Sequence, residues 1–128
     1  MQDFPKPEEL LDAVAAYLFA ELRPQVPKEE RFRVLVAANV CAVVAREIRA
    51  GTEPDLADVA DFRRAIGVEA PAPTAEEAPA EAREAAAELA ALIREGRLDD
   101  TLAQVIPILR EVAARKLEIA RPGYADPG

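Results

Sequence analysis

The chain contains no histidine, no serine and no tryptophan, and it has one cysteine in 128 residues. Without serine and histidine there is no Ser–His triad, no phosphohistidine chemistry and no serine to carry a phosphopantetheine arm. Zinc, haem and iron–sulfur centres need histidine or several cysteines. Only an all-carboxylate Mg²⁺ or Ca²⁺ site would remain, and no calcium-loop pattern occurs. We therefore predict no metal and no cofactor, and we assign no catalytic residue.

Glycine and positive charge are also scarce. The five glycines form neither GxGxxG nor GxxxxGK[ST], so nucleotide-binding loops of these kinds are absent. The 24 acidic residues outnumber the 16 basic ones and give a net charge of −8, which opposes binding to nucleic acid and to anionic membranes. The nearly apolar run over 34–45 is too short to span a bilayer, and no secretory signal pattern opens the chain. We expect an acidic bacterial protein of the cytoplasm, without nucleic-acid or membrane partners.

Alanine is abundant and occupies 28 positions, which favours helix because alanine loses no side-chain entropy there. Apolar residues recur at helical spacing in five segments, and no segment alternates as a strand does. The predicted helices cover residues 7–22, 27–50, 55–66, 81–95 and about 99–120. We predict an all-α fold, roughly a five-helix bundle, in a single domain over residues 1–128, with a mobile Pro/Ala/Glu linker at 68–80.

The second predicted helix carries the apolar run, in which Asn39 is the only polar side chain. A helix that is apolar on every side is surrounded by other helices or by a partner chain. We expect this helix to be the central element, with Cys41 as a small buried hydrophobe and Asn39 hydrogen-bonded inside the bundle. Asn39 is interpreted either as a structural contact or as a ligand or partner contact. We also expect apolar surface to remain for self-association, most simply as a symmetric homodimer.

Several charged residues stand out by position. Lys116 interrupts the apolar face of the last helix. We interpret it in one of two ways: its aliphatic stem packs while its ammonium reaches water, or its ammonium is paired or binds a ligand. Asp55, Asp58 and Asp61 are spaced three apart, and we interpret them as a solvated face rather than a cation site. Arg46 is expected to join acidic residues of the first helix in weak exposed salt bridges.

Three stretches carry a resemblance: DFPKPEELLDAV at 3–14, RVLVAANVCAVVARE at 33–47 and KLEIARPGY at 116–124. Together they resemble a small bacterial domain family of unknown function, in which an asparagine is usual at the position of Arg121. Genes of that family lie beside those of aminoglycoside-phosphotransferase-like kinases and acyl-CoA dehydrogenases. The resemblance implies such enzymes as partners and transfers no catalytic residue.

Two functions from different classes follow. The first is a non-catalytic helical accessory protein that binds a kinase or an acyl-CoA dehydrogenase. The second is a helical bundle that binds a small molecule or an acyl chain in an apolar cleft near Asn39 and Lys116. An enzyme would have to rest on Glu, Asp, Lys or Tyr alone. The candidate ligand or partner contacts are Asn39, Arg46, Lys116 and Tyr124. A deep apolar cavity favours the second function, and a filled core with exposed apolar surface favours the first.

Overall fold

A computed structural model describes residues 4–124 of the chain. The helices are α1 (Pro7–Ala16), α2 (Arg31–Ala50), α3 (Glu53–Ile66), α4 (Ala78–Arg94) and α5 (Leu102–Ala120). No strand forms in this part of the chain, so the prediction of an all-α fold with about five helices is confirmed. The chain divides into two compact units. The first comprises the chain up to Ala50 together with Ile119–Arg121, and the second comprises the remainder.

The first unit is built on an antiparallel hairpin of α1 and α2. Pro7 opens α1, whose first turn carries two glutamates where the helix dipole favours negative charge. The helix then continues in wider π-helical turns over Tyr17–Leu22, so the helix predicted over residues 7–22 is continuous. An ion pair between Asp12 and Arg49 joins the start of α1 to the end of α2. Gly51 follows α2 with a φ of 62°, as expected of a helix cap.

The position of α2 differs from the prediction. Only Ala38 and Ala45 of this helix are buried. These two small residues lie seven apart on one side of α2, where they allow a close approach to α1. Most of the other apolar side chains of α2 remain exposed. The expectation that α2 is the surrounded, central element is therefore wrong within a single chain, and the alternative of a partner chain stays open.

The second unit contains a hydrophobic core. Its buried members come from three helices and are Phe62, Ala85, Leu89, Val105 and Val112. The alanine-lined face predicted for α4 is buried as expected, because small side chains let neighbouring helices approach. The last helix runs unbroken through Pro107, as its uninterrupted apolar spacing indicates.

The start of α4 lies earlier than predicted. The helix begins at Ala78 rather than near residue 81, and one turn before it Thr74 and Glu77 form a capping box. The Thr74 amide donates to the Glu77 carboxylate at 2.9 Å, and the Glu77 amide donates to Thr74 Oγ1 at 3.2 Å. The sequence signal is T-x-x-E, which the sequence analysis missed. Irregular backbone is thus confined to about 68–73, and the mobility of the linker stays a prediction.

We expect Thr74→Ala to destabilise the second unit by about 0.5–2 kcal/mol, because the Glu77 amide loses its side-chain acceptor. Urea unfolding followed by circular dichroism measures this change. Thr52 precedes α3 without a side-chain cap, so Thr52→Ala is the matched control. Equal losses in the two variants would show that the capping box contributes nothing.

The same cap gives a dependence on pH. The hydrogen bond from the Thr74 backbone, followed by the bond to its side chain, lowers the pKa of Glu77 below its ordinary value of 4.5. Ionised Glu77 therefore stabilises the fold above that value, and the contribution disappears as the pH falls through the folded-state pKa. We expect the stability advantage of the wild type over Glu77→Gln to be present at pH 7 and to be lost as the pH falls through the lowered pKa of Glu77. An advantage that does not change with pH would contradict this assignment.

Candidate functional site

Asn39 lies on the exposed side of α2, so the expectation that it is hydrogen-bonded inside the bundle is wrong. Among residues 4–124 no side-chain hydrogen bond to Asn39 forms. The helix turns this position away from α1, whereas neighbouring Ala38 faces it and is buried. Asn39 instead stands at the edge of a groove of about 340 Å³. Its role as a ligand or partner contact stays a prediction.

The groove beside Asn39 is shallow and open to solvent. Alanines line most of it, and Phe19 and Leu35 complete its wall. Phe19 comes from the π-helical turns, which are rare in proteins and often occur at functional sites. The Arg23 guanidinium lies 4.1 Å from the centre of the Phe19 ring, and Arg23 Nε donates to the Phe19 carbonyl at 3.1 Å. We call this feature the Asn39 groove; it is an apolar recess with one free amide at its margin.

Arg46 binds backbone rather than acidic side chains. Its Nε donates to the Ile119 carbonyl at 2.5 Å, and its Nη2 lies 3.4 Å from the Ala120 carbonyl. These carbonyls belong to the last turn of α5, which has no partner within the helix. The predicted pairing with the first helix is made by Arg49 and Asp12 instead. Arg46 thus caps the C-terminal end of α5. It joins the stretch at 33–47 to the stretch at 116–124, which are two of the three stretches that resemble the family.

Lys116 belongs to an ionic cluster between α3 and α5. Its ammonium lies 3.3 Å from Asp58, although two-thirds of the side chain is exposed. Arg115 Nη2 lies 2.7 Å from both Asp58 and Asp61, and those carboxylates are buried. The interpretation of these aspartates as a solvated face is wrong, because they face α5 and are neutralised there. Lys116 thus has an acidic partner, as the second interpretation expects, and its exposed side chain also fits the first.

The cluster is fully engaged in internal contacts. Burial by itself lowers the pKa of Arg115, but the hydrogen bonds to Asp61 and Asp58 outweigh it and raise that pKa. Arg64 adds a further contact to Asp61 at 3.2 Å. In residues 4–124 no three His, Cys, Asp or Glu side chains are placed to hold a metal ion. The arrangement fixes α3 against α5.

A second groove, of about 470 Å³, runs along α3 beside the irregular segment that follows it. Its cationic side chains are both engaged. Arg63 donates to the Pro71 carbonyl at 2.9 Å and pairs with Glu81, and Arg64 pairs with Asp61 and Glu111. Both arginines of this groove are therefore held by internal contacts, and Glu69 is the charged lining residue that forms no ion pair within residues 4–124.

The hairpin exposes an unusual amount of apolar surface. Large apolar side chains occupy every fourth position along the outer side of α2: Phe32, Val36, Val40, Val44 and Ile48. We call this row the α2 ridge. On α1, Leu10, Val14 and Tyr17 are about half exposed. Cys41 beside the ridge is half-buried rather than buried.

The candidate contacts of the sequence analysis do not form one site. Asn39 and Arg46 belong to the first unit, whereas Lys116 and Tyr124 belong to the second. Tyr124 is 61% exposed. Sequence periodicity could have revealed the α2 ridge, since the four-residue spacing is visible in the chain, but only the structure shows that nothing within the described residues covers it.

Among the described residues, no helix combines the length and the apolar character needed to cross a membrane. Neither the curated proteins nor the solved structures contain a match to the chain. A family model matches residues 24–124, which includes the linker and leaves out the first of the three resembling stretches. The chain therefore belongs to the domain of unknown function family DUF6285.

Proposed function

We propose that the protein is a non-catalytic helical accessory protein that acts by binding other proteins in the bacterial cytoplasm. The observation that carries the proposal is the uncovered apolar surface of the α1–α2 hairpin. Monomeric proteins seldom leave contiguous apolar patches beyond a few hundred Å², and larger ones mark interaction sites. The grooves of the described residues are open, and the arginines that line them are engaged internally. These features favour a surface for a partner over a pocket for a substrate.

The Asn39 groove is the proposed binding site for the enzyme partner. Its alanine lining leaves room for one or two apolar side chains, and the Asn39 amide can both donate to and accept from a partner backbone. Buried apolar anchors with a polar margin are typical of protein interfaces. The resemblance supplies the partners to test first, namely an aminoglycoside-phosphotransferase-like kinase and an acyl-CoA dehydrogenase.

The alternative function is binding of a small molecule or an acyl chain. The observation in its favour is the same groove, because it is apolar and has one amide at its margin. Against it, the groove is open along its length, whereas ligand pockets usually bury most of the ligand surface. An acyl chain lying there would keep much of its surface in water.

The test uses the full chain and the two candidate enzymes from the same host. Calorimetric titration of each enzyme should give saturable binding to one of them. Asn39→Arg fills the groove with a bulky charge, and we expect it to weaken that binding at least tenfold. Ala87→Arg is the matched control, since it adds the same side chain to an exposed position of α4 and should leave binding unchanged.

A parallel titration with a long-chain acyl-CoA separates the two functions. Enzyme binding that Asn39→Arg abolishes, with no acyl-CoA binding, supports the accessory function. Absence of binding to both enzymes at about 100 µM, the weak limit of a biological contact, would overturn it. Saturable acyl-CoA binding that Asn39→Arg removes would establish the alternative.

A further inference from the structure

We propose that a second copy of this chain packs on the α2 ridge, with the two α2 helices antiparallel and a two-fold axis close to Val40. The inference rests on the proposed function in one respect, that the hairpin is a protein-binding surface. It goes further by naming the occupant of the ridge. The five ridge side chains are 36–73% exposed, so they are free to enter such a contact.

The spacing of the ridge suits helix packing. Residues four apart form a row inclined to the helix axis, and the rows of two helices interdigitate at a crossing angle of about −50°, the commonest class. From Phe32 to Ile48 the row extends along about 24 Å of helix at 1.5 Å per residue. Small side chains, including Ala37 and Cys41, line the groove beside it. The ridge of one copy can therefore enter the groove of another.

The ridge is self-complementary about Val40. In a two-fold contact between antiparallel helices, each residue meets the one equally far from the axis on the other side. Val36 then meets the partner's Val44, while Phe32 and Ile48, about 80° round the helix from Val40 on either side, flank the contact. The same symmetry matches charge, because Arg33 and Glu47 lie equally far from Val40 and bear opposite signs. Arg33 is largely exposed, and its contact with Glu30 is long at 3.8 Å, so its guanidinium can turn to the partner's Glu47.

The first helix extends the contact. The antiparallel pairing of α1 and α2, fixed by the Asp12–Arg49 ion pair, brings the first half of α1 alongside the second half of α2. Leu10 and Val14 are both about half exposed. The α2 helix of the second copy, which crosses at Val40, continues over the side of the hairpin that carries Leu10 and Val14. Its own first turn then packs against α1.

The area available fits a dimer. At on the order of 100 Å² of uncovered surface per side chain, the ridge with Leu10 and Val14 offers about 700 Å², against about 800 Å² per partner in a stable interface. The largest apolar patch of a typical monomer is about 300–600 Å². Together the ridge, Leu10 and Val14 thus exceed what a monomer normally exposes and approach what one half of a dimer needs.

The first experiment measures the mass of the full chain by sedimentation equilibrium over a dilution series from about 100 µM. We expect a dimer for the wild type. Val40→Glu places two like charges at the axis, and we expect the dissociation constant to rise about 100-fold or more. Val40 is 54% exposed, so the fold should persist, as circular dichroism will show. Val68→Glu, at an apolar position 44% exposed in the second unit, is the matched control and should remain dimeric.

The second experiment tests the register. Arg33→Glu and Glu47→Arg should each weaken the dimer, because each places like charges opposite one another. The two changes combined should restore association to within about threefold of the wild type, because an exposed ion pair is worth only about 0.2–1 kcal/mol. Restoration would establish the antiparallel pairing about Val40, and a double variant weaker than both single variants would overturn it.

The outcomes distinguish this inference from the proposed function. A monomer mass at every concentration, or a dimer that Val40→Glu leaves intact, would overturn the two-fold contact, while the enzyme titrations still decide the accessory function. Conversely, a dimer sensitive to Val40→Glu stands even if neither enzyme binds. Asn39→Arg alters the groove rather than the ridge and should remain dimeric, which keeps the two surfaces separable.

Discussion

Replacement of Arg115 by methionine should cost about 3–5 kcal/mol of folding free energy, since it leaves two buried carboxylates without their main partner. Asp58 and Asp61 are 5% and 7% exposed, and Arg115 donates to both of them. Lys116 and Arg64 remain as secondary partners and place the loss toward the lower end of that range. Urea unfolding at pH 7 measures it.

The control for this prediction is Arg110→Met, on the same helix and exposed, which should change stability by less than about 0.5 kcal/mol. A triple variant, Arg115→Met with Asp58→Asn and Asp61→Asn, removes the charges together and should recover part of the loss. If Arg115→Met is as stable as Arg110→Met, the cluster does not hold α3 against α5, and the ionic contacts are incidental.

Truncation of Leu89 to alanine should cost about 2–5 kcal/mol, because it removes buried methyl groups and leaves a cavity in the core of the second unit. Leu89 is 2% exposed and packs among Phe62, Val105 and Val112. Ile93→Ala is the matched control on the same helix, at a position 37% exposed, and should cost clearly less. Thermal and urea unfolding measure both variants, and equal losses would contradict the assigned core.

The helices could be predicted because their determinants are local. Apolar spacing fixed their phase, and residues with special backbone preferences, such as Gly51 and Gly67 with φ of 62° and 73°, marked where α2 and α3 end. The start of α4, which lies three residues before its predicted position, depended on a capping box. Thr74 and Glu77 carry that signal three residues apart, so it too was present in the chain.

The surroundings of the helices could not be predicted, because they depend on residues distant in sequence. The spacing of Asp58 and Asp61 fits a solvated face as well as a buried one until Arg115, more than fifty residues later, is known to face them. The apolar character of α2 predicted that its side chains are buried. How much of their surface is buried, however, depends on the other helices that pack against α2. Asn39 was placed inside because its neighbours are apolar, but Val36 and Val40 among them proved to be exposed as well.

The bond between Arg46 and the end of α5 has a consequence for synthesis of the chain. The first unit includes Ile119–Arg121, so it cannot be completed until these residues, about 70 positions after the end of α2, have left the ribosome. At about 5–20 residues per second, the α1–α2 hairpin emerges several seconds before its last contact becomes available. During that interval α2 is exposed on still more of its surface, and early association with another nascent copy would cover it.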